Sequence, residues 1–285
     1  MTLKYMAQTH FSLTNFMRRV QNPEVREFVR QIRAATGVDT LDFIPTDSVF
    51  FEQHEKSVFT YNGDDGIIEK IYDVIGYGSK TYLDFGATKL HNNSQNLHVN
   101  HGFTGTLWGG EQAEYTTIHD EFVTCENVKE LIDKYGVPEN LDFLSIDIDG
   151  NDWHIWREIT KYVKPRVVVI EYNGEFRVED DKVIPYDPKF SWDFKTNYFG
   201  ATLMAHFKLG RHLGYSLVSC NSQGCNAFFV RDDCIPESVK IYGLNEPRIL
   251  YRSLHATRNP DEYFENDTTN RPWTSAQKLL ETHKG

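Results

Sequence analysis

The stretch LDFLSIDIDGNDWHIW at residues 141–156 brings three carboxylates, Asp147, Asp149 and Asp152, between a short apolar run and a helical pattern. The apolar run predicts a strand, so the acids are expected at a strand's carboxyl end, where open α/β sheets bind their ligands. Clustered acids repel one another unless a metal, a basic group or helix amides lie close by. We therefore interpret this stretch as the edge of an active site. The alternative is a helix cap, made by Asn151 or Asp152, with the other acids in solvent.

Outward from this stretch, strand and helix patterns alternate along the chain. The predicted strands span residues 81–85, 105–108, 141–147, 166–170, 215–219 and 227–230. The predicted helices span residues 65–75, 93–100, 126–135, 152–162 and 201–213. We expect the first helix to be capped by Asp64 or Asp65 and to stop at Gly76. This alternation predicts an α/β fold with a Rossmann-like, doubly wound sheet.

The flanks of the predicted sheet domain lack this alternation. Residues 1–60 are predicted to form an N-terminal helical and irregular extension, and residues 61–232 form the main domain. An insertion at residues 174–197 interrupts that domain. Residues 233–285 are rich in proline and charge, and they either wrap the domain or partly disorder; we place them as a tail packed on the domain.

Composition restricts the class of partner. The chain of 285 residues has a net charge of −11, which disfavours a nucleic-acid backbone as its partner. No apolar run approaches the ~20 residues that a membrane span requires. The four cysteines form no CxxC pair, which is typical of free thiols in a reducing compartment. We predict a cytoplasmic protein that acts on a small molecule, and the oligomeric state stays open.

A glycine turn and a later acid indicate a nucleotide-like pocket. The predicted strand at residues 81–85 contains Asp84 and enters a turn at Gly86, as strands do where backbone must approach a ligand closely. About one strand–helix unit later, Glu111 follows two glycines and could accept hydrogen bonds from both ribose hydroxyls. The alternative for Gly86 alone is an ordinary strand–helix turn.

Several of these stretches together resemble a known family. They are Asp84-Phe85-Gly86-Ala87 with Asn92-Asn93-Ser94, Gly109-Gly110-Glu111, residues 144–153, Val169-Ile170-Glu171-Tyr172-Asn173, residues 197–201 and residues 224–229. They look like class I S-adenosylmethionine-dependent methyltransferases of the FkbM-like kind, over residues 60–232. The resemblance implies a seven-stranded sheet with a reversed last hairpin, and methyl transfer to a hydroxyl of a sugar, polyketide or other small metabolite.

The resemblance also implies roles for particular residues in binding S-adenosylmethionine. Asp84 and Gly86 would lie along the methionine part of the cofactor, Glu111 would hold its ribose, and Asp147 would face both cofactor and acceptor. Ala87 and Asn93 would belong to the same cofactor site. The sequence departs from the family where a second glycine is usual, since Thr88, Lys89 and Leu90 follow instead. This departure leaves open a weakened pocket or one adapted to another ligand.

Oxygen ligands from two neighbouring strand ends suit Mg²⁺ or Ca²⁺, so Asp147, Glu171 and Asn173 form a candidate metal site. The alternative is that Glu171 and Asn173 bind loop amides. A bound metal would lower the pKa of an acceptor hydroxyl.

The candidate catalytic bases are Asp147, Asp149 and His154, although a helix histidine can equally be a packing residue. Trp192 and Tyr198 are candidate walls of the acceptor pocket, with core packing as the alternative.

The expected function is O-methyl transfer. The alternatives are N-methyl transfer, a binding module that has lost its cofactor, and a metal-dependent enzyme that transfers no methyl group.

Overall fold

The computed structural model describes residues 48–60, 62–86, 88, 92–110, 116–256 and 263–282. The helical pattern predicted within residues 1–35 lies outside these ranges, as do Ala87 and Glu111 of the predicted cofactor site.

The chain divides into two compact units. The described residues of the smaller unit are 48–50 and 240–242, where strands β1 (Ser48–Val49) and β9 (Lys240–Ile241) pair in parallel. The rings of Phe50 and Tyr242 meet edge to face in this unit, with centroids 5.2 Å apart. The larger unit contains the remaining described residues.

The larger unit is built on a seven-stranded sheet. Its strands are β2 (Thr81–Phe85), β3 (Thr104–Trp108), β4 (Ile118–His119), β5 (Phe143–Ile146), β6 (Val167–Glu171), β7 (Tyr215–Cys220) and β8 (Asn226–Arg231). Their order across the sheet is β4-β3-β2-β5-β6-β8-β7. The sheet is parallel from β4 to β6, and β8 runs antiparallel to both β6 and β7. This is a mixed α/β fold, compatible with the Rossmann-like sheet predicted from the sequence.

Helices connect and cover these strands. They are α1 (Asp64–Ile75), α2 (Gln95–His101), α3 (Val128–Tyr135), α4 (Asp152–Ile159), α5 (Leu203–Leu213), α6 (Pro247–Leu250) and α7 (Ala276–Glu281). The five helices predicted from the sequence are present, with bounds shifted by a few residues. The predicted cap of α1 was wrong, because Gly63 occupies the N-cap and Asp64 and Asp65 are the first two helical residues.

The core lies on both faces of the sheet. Every residue of β6 from Val167 to Ile170 is fully buried, as expected for an interior strand that is covered on both faces of the sheet. From α4, Trp153 and Trp156 pack into the same core with no exposed surface. This packing fixes α4, and with it the acidic loop that precedes α4.

The C-terminal segment belongs to the larger unit. Helix α7 packs against α5, and its first residue, Ala276, is fully buried. Thr274 exchanges two backbone hydrogen bonds of 2.9 Å with Val183 of the insertion. Among the helices that the structure describes, none has the length and apolar character needed to span a bilayer.

Candidate functional site

A cleft lies where the strand order of the sheet reverses direction. From β2 the chain proceeds outward through β3 and β4 on one side, and through β5 and β6 on the other. Open α/β sheets bind ligands outside the carboxyl ends of the strands at such a point. The cleft is open to solvent, and its cavity volume is about 40 Å³. Its described lining residues are Thr60, Asn62, Asp84, Phe85, Gly86, Asn92, Asn93, Ser145, Asp147 and Asn226.

Gly86 brings the turn after β2 against the loop after β5. Its φ is +72°, and a Cβ at this position would lie 1.5 Å from the carbonyl oxygen of Asp147. No side chain fits in that space, and the positive φ also disfavours any residue with a Cβ. The predicted glycine turn is therefore a point of backbone-to-backbone contact at the cleft.

Asp84 is a buried carboxylate in β2. Its Oδ2 accepts a 3.0 Å hydrogen bond from the backbone N–H of Ser94, which precedes α2. Ser145 is its register partner on β5, and the Oγ of Ser145 accepts a 3.2 Å bond from Asn93 Nδ2. Burial raises the pKa of Asp84 to about 6, although hydrogen bonds from Ser94 and Ser145 act in the opposite direction.

Asp147 and Asp149 follow β5, and burial and the charge of Asp152 act on both carboxyl groups. Burial, and then the negative charges of Asp149 and Asp152, hold the pKa of Asp147 well above its usual range. Burial and the charge of Asp152 likewise raise the pKa of Asp149 to about 6. Asp149 has a φ of +53°, which is unusual for a residue with a Cβ and is common at functional loops. A carboxyl group with a raised pKa can take up a proton near neutral pH.

Asp152, in contrast to Asp147 and Asp149, binds backbone amides of the acidic loop. Its Oδ1 accepts a 2.9 Å bond from the N–H of Ile148, and its Oδ2 accepts a 2.7 Å bond from the N–H of Gly150. Asp152 thus closes the acidic loop at the start of α4. The helix-cap alternative is wrong, because the N-cap of α4 is Asn151, whose side chain makes no cap hydrogen bond, and both amides that Asp152 binds precede the helix.

Three acids of this edge lie close enough to share a cation. Asp147, Asp149 and Glu171 each offer an oxygen, and these oxygens all lie within 4.8 Å of one another. Two of the predicted metal ligands, Asp147 and Glu171, are therefore brought together. Such an arrangement of oxygens is the kind that Mg²⁺ or Ca²⁺ uses.

Asn173, the third predicted metal ligand, binds the loops around it. Its Nδ2 donates to the carbonyl oxygens of Asn197 at 3.0 Å and Phe199 at 2.9 Å. Its Oδ1 accepts a 3.2 Å bond from the N–H of Glu175. Since the nitrogen and the oxygen of the amide both bind backbone groups of the surrounding loops, Asn173 matches the loop-binding alternative.

His154, predicted as a base, is a buried residue of α4 outside the described lining of the cleft. Its Nε2 lies 2.9 Å from the carbonyl oxygen of Ile184, so Nε2 carries the proton and donates it to that carbonyl. Burial lowers the pKa of His154 to about 4. This position corresponds to the packing alternative.

Trp192 and Tyr198, the predicted acceptor walls, are likewise outside that lining. Trp192 donates from Nε1 to the carbonyl oxygen of Thr196 at 2.7 Å. The hydroxyl of Tyr198 donates to the carbonyl oxygen of Pro272 at 2.7 Å. Both rings pack against other aromatic rings of the insertion and the C-terminal segment. The core-packing alternative accounts for these contacts.

Six residues that line the cleft had no predicted role: Thr60, Asn62, Phe85, Asn92, Ser145 and Asn226. Four of them lie within the stretches that carry the family resemblance, whereas Thr60 and Asn62 do not. Asn226 begins the antiparallel strand β8, so it lies at the edge where the parallel strands end. The reversed last hairpin, which the family resemblance implies, predicts that the last strand begins at this edge. Thr60 and Asn62 precede α1, and nothing in their local sequence indicates that this loop reaches the cleft.

The described lining contains two carboxylates, four asparagines and two hydroxyl side chains, but none of its residues is a lysine, arginine or histidine. Its electrostatic character therefore favours a ligand with positive charge or hydrogen-bond donors over one with phosphate groups.

Comparisons of the chain with protein-family models, with curated proteins and with solved structures give no significant match.

Proposed function

We propose that this protein is a class I, S-adenosylmethionine-dependent methyltransferase of the FkbM-like kind that acts on a small-molecule hydroxyl. The observation that carries the proposal is the cleft at the strand-order reversal, with Asp84 and Gly86 at the end of β2 and Asp147 at the end of β5. These residues come from two of the motifs on which the resemblance depends.

The sheet supports the proposal. The family resemblance implies seven strands with a reversed last hairpin, and the observed sheet has seven strands with β8 antiparallel to its neighbours. Fold alone does not define an activity, so the site must supply the remainder of the support.

The chemistry of the cleft suits the cofactor. S-adenosylmethionine, when bound, supplies a methyl group attached to a positively charged sulfur. Asp84, Asp147 and the asparagine-rich lining offer negative charge and carbonyl oxygens to the sulfonium and ammonium groups. Gly86 lets backbone lie close to the ligand.

The chain's own residues would divide the work of the reaction. Asp84, Asn93 and Gly86 would hold the methionine part, and Glu111, outside the described residues, would hold the ribose. Asp147, whose pKa is raised, would accept the proton of the acceptor hydroxyl, with Asp149 beside it. An amine acceptor would need less help from a base, so N-methyl transfer is the alternative within this proposal.

A bound divalent cation is a second proposal, favoured by the convergence of Asp147, Asp149 and Glu171. The three oxygen donors fit Mg²⁺ or Ca²⁺, which take carboxylate ligands. A cation there would reduce the repulsion among the acids and lower the pKa of a hydroxyl bound to it. This proposal applies equally to an enzyme that uses the acids without methyl transfer.

The test of the methyltransferase proposal is calorimetric titration of the full chain with S-adenosylmethionine and S-adenosylhomocysteine. We expect a Kd in the micromolar range, about −8 kcal/mol. Glu111→Gln should weaken binding strongly, whereas Glu114→Gln, in the same sequence segment, should not. Absence of binding to either ligand would overturn the proposal, and binding without turnover on hydroxyl or amine acceptors would indicate a binding module.

The test of the cation proposal is titration with Mg²⁺ and Ca²⁺, followed by calorimetry and by the rise in melting temperature that ligand binding causes. Glu171→Gln should reduce the affinity, while Glu139→Gln, at an exposed position paired with Lys164, serves as the matched control. Equal cation responses in both variants would contradict the site.

A further inference from the structure

Two buried carboxylates begin α1, and both reach residues that line the cleft. Asp64 and Asp65 are fully buried at the N-terminus of this helix, where the helix dipole favours negative charge. Asp65 Oδ2 accepts the backbone N–H groups of Val58, Phe59 and Thr60 at 2.7–2.8 Å, together with the hydroxyl of Thr60 at 3.0 Å. Asp65 therefore fixes the loop that brings Thr60 to the cleft.

Asp64 reaches the hairpin between β7 and β8. Its Oδ1 accepts a 2.8 Å bond from Asn221 Nδ2, and its Oδ2 accepts a 2.7 Å bond from Asn226 Nδ2. Asn221 in turn accepts, through Oδ1, the N–H groups of residues 224–226 at 3.1 Å each. One carboxylate thus joins α1 to the turn of the hairpin and to the first residue of β8.

The same network contains Cys225. Its sulfur accepts hydrogen bonds from Asn221 Nδ2 at 3.3 Å and from Asn62 Nδ2 at 3.4 Å. Burial and the neighbouring Asp64 hold the pKa of this thiol well above its usual range, so the sulfur is a neutral, weak acceptor. Asn62 and Asn226, which both line the cleft, therefore have their amide nitrogens bound within the protein.

An ionised carboxylate only accepts hydrogen bonds, so the amide nitrogen of Asn226, and not its oxygen, must face Asp64. With an N–H of Nδ2 directed at Asp64, Oδ1 is the side-chain acceptor of Asn226 that remains for a ligand donor. An amide rotated by half a turn would place two acceptors against each other at Asp64. That arrangement is costly for buried groups.

We propose that Asp64 is a positioning residue of the cofactor cleft, which orients Asn226 so that its carbonyl oxygen receives a hydrogen-bond donor of the ligand. The donor that this arrangement fits is an ammonium group, such as that of the amino-acid part of S-adenosylmethionine. The inference rests on the proposed function, because it assigns a group of that cofactor to a residue of the cleft.

The decisive experiment exchanges the two partners. In Asp64→Asn, the new amide can keep its oxygen toward Asn221 and turn its nitrogen toward Asn226, which then has to present Nδ2 to the ligand. In the double variant Asp64→Asn with Asn226→Asp, the amide donates to a carboxylate at position 226, and an acceptor again faces the cleft. Asn226→Asp alone places two carboxylates in contact and completes the double-mutant cycle.

Titrations at pH 8 would use S-adenosylmethionine, S-adenosylhomocysteine and 5′-methylthioadenosine, which has no amino-acid part. We expect Asp64→Asn to weaken the first two ligands about tenfold or more, in line with the loss of a charge-assisted hydrogen bond. Asn226→Asp should weaken them by a similar factor, because two carboxylates in contact repel and displace the side chain at position 226. The double variant should recover to within about threefold of the wild type, in keeping with restored acceptor chemistry. Affinity for methylthioadenosine should stay unchanged in all three variants.

Asp142→Asn is the matched control, since Asp142 is a fully buried carboxylate at the opposite edge of the sheet that binds Gly78, Lys80 and Arg166. It should lower the melting temperature without changing either Kd. Wild-type affinity in Asp64→Asn, no recovery in the double variant, or an equal loss for methylthioadenosine would each overturn the positioning role while leaving the methyltransferase proposal intact. If the wild type binds none of these ligands, both proposals fail together.

Discussion

At Gly86 the turn after β2 touches the backbone of the loop after β5, and a single methyl group decides whether that contact can form. A Cβ there would overlap the carbonyl oxygen of Asp147 at 1.5 Å, in a conformation with a φ of +72°. Because one of the overlapping groups is backbone, no side-chain rotation can relieve the clash. The loop that carries the acids would have to move away from β2.

We predict that Gly86→Ala lowers the free energy of unfolding by about 3 kcal/mol or more, as strained and overpacked positions do. Gly110→Ala is the matched control, because a Cβ at Gly110 meets no atom within 4 Å. Urea unfolding of the two variants provides the measurement. Equal stabilities would show that the two loops are not in contact in solution.

At the same scale, the three acids after β5 illustrate how far sequence can predict a site. Their spacing and the preceding strand placed all three at the sheet edge. Asp152 differs from Asp147 and Asp149 because it reaches the N–H groups of Ile148 and Gly150. That difference depends on the backbone path of the loop, where Asp149 has a positive φ, and nothing in residue type encodes it.

At the scale of elements, α4 holds the insertion beside the acidic loop. Asn151, at the start of the helix, donates from Nδ2 to the carbonyl oxygen of Asp187 at 2.8 Å, and His154 binds the carbonyl oxygen of Ile184. A Cβ at Gly150 would meet the ring of Phe190 at 2.6 Å, so the insertion also packs on the loop itself. His154 is thus a connection between two elements, which suggests a test of its role.

We predict that His154→Gln changes the pH dependence of stability and leaves cofactor binding unchanged. The pKa of His154 is about 4 in the folded protein and near 6.5 when unfolded, so only the unfolded chain gains the proton between these values. The wild type therefore loses up to about 3 kcal/mol as the pH falls from 7 to 4, and a glutamine, which does not titrate, lacks this loss.

Urea unfolding of both proteins between pH 7 and pH 4 measures this difference, with His212→Gln, an exposed residue of α5, as the control. The free energy of unfolding of His154→Gln, relative to that of the wild type, should rise as the pH falls. Parallel curves would contradict a neutral, buried His154. Abolished methyl transfer with unchanged cofactor binding would favour the catalytic role predicted from sequence.

Elements were predictable where the signal is local. The strand β2 has its predicted bounds, α1 stops at Gly76 as predicted, and α3 and α5 end at their predicted last residues, Tyr135 and Leu213. Strand β4 has only two residues, Ile118 and His119, which is too short for any periodicity to show. It exists because β3 offers it an edge, and this is a tertiary cause.

At the scale of the whole molecule, the cleft is assembled from segments far apart in sequence. Thr60 and Asn62 precede α1, and Asn226 begins β8, more than 160 residues later. Asp64 of α1 binds Asn226 across the fold, and Asn62 donates to the sulfur of Cys225, which precedes Asn226. Such a contact leaves no periodic trace in the sequence, so the sequence predicted the sheet side of the cleft and missed this side.

The C-terminal segment also contacts residues that are far away in sequence. Thr274 pairs with Val183 of the insertion, Asp181 accepts the N–H of Ala276 at 2.9 Å, and Leu279 and Leu280 pack against the core. Removal of residues 269–285 would leave Val183 without a backbone partner on that side and would expose the surface of α5 that α7 covers.

We predict that the chain ending at residue 268 melts about 5 °C or more below the full chain, since each lost kcal/mol costs roughly 2–4 °C in a domain of this size. Limited proteolysis should then cut first within residues 174–197, because the insertion loses its pairing at Val183. A chain that lacks only residues 283–285 is the control and should match the full protein. If the shorter chain keeps the full melting temperature and resists cleavage in the insertion, the segment after residue 268 contributes no stability, and the domain ends before it.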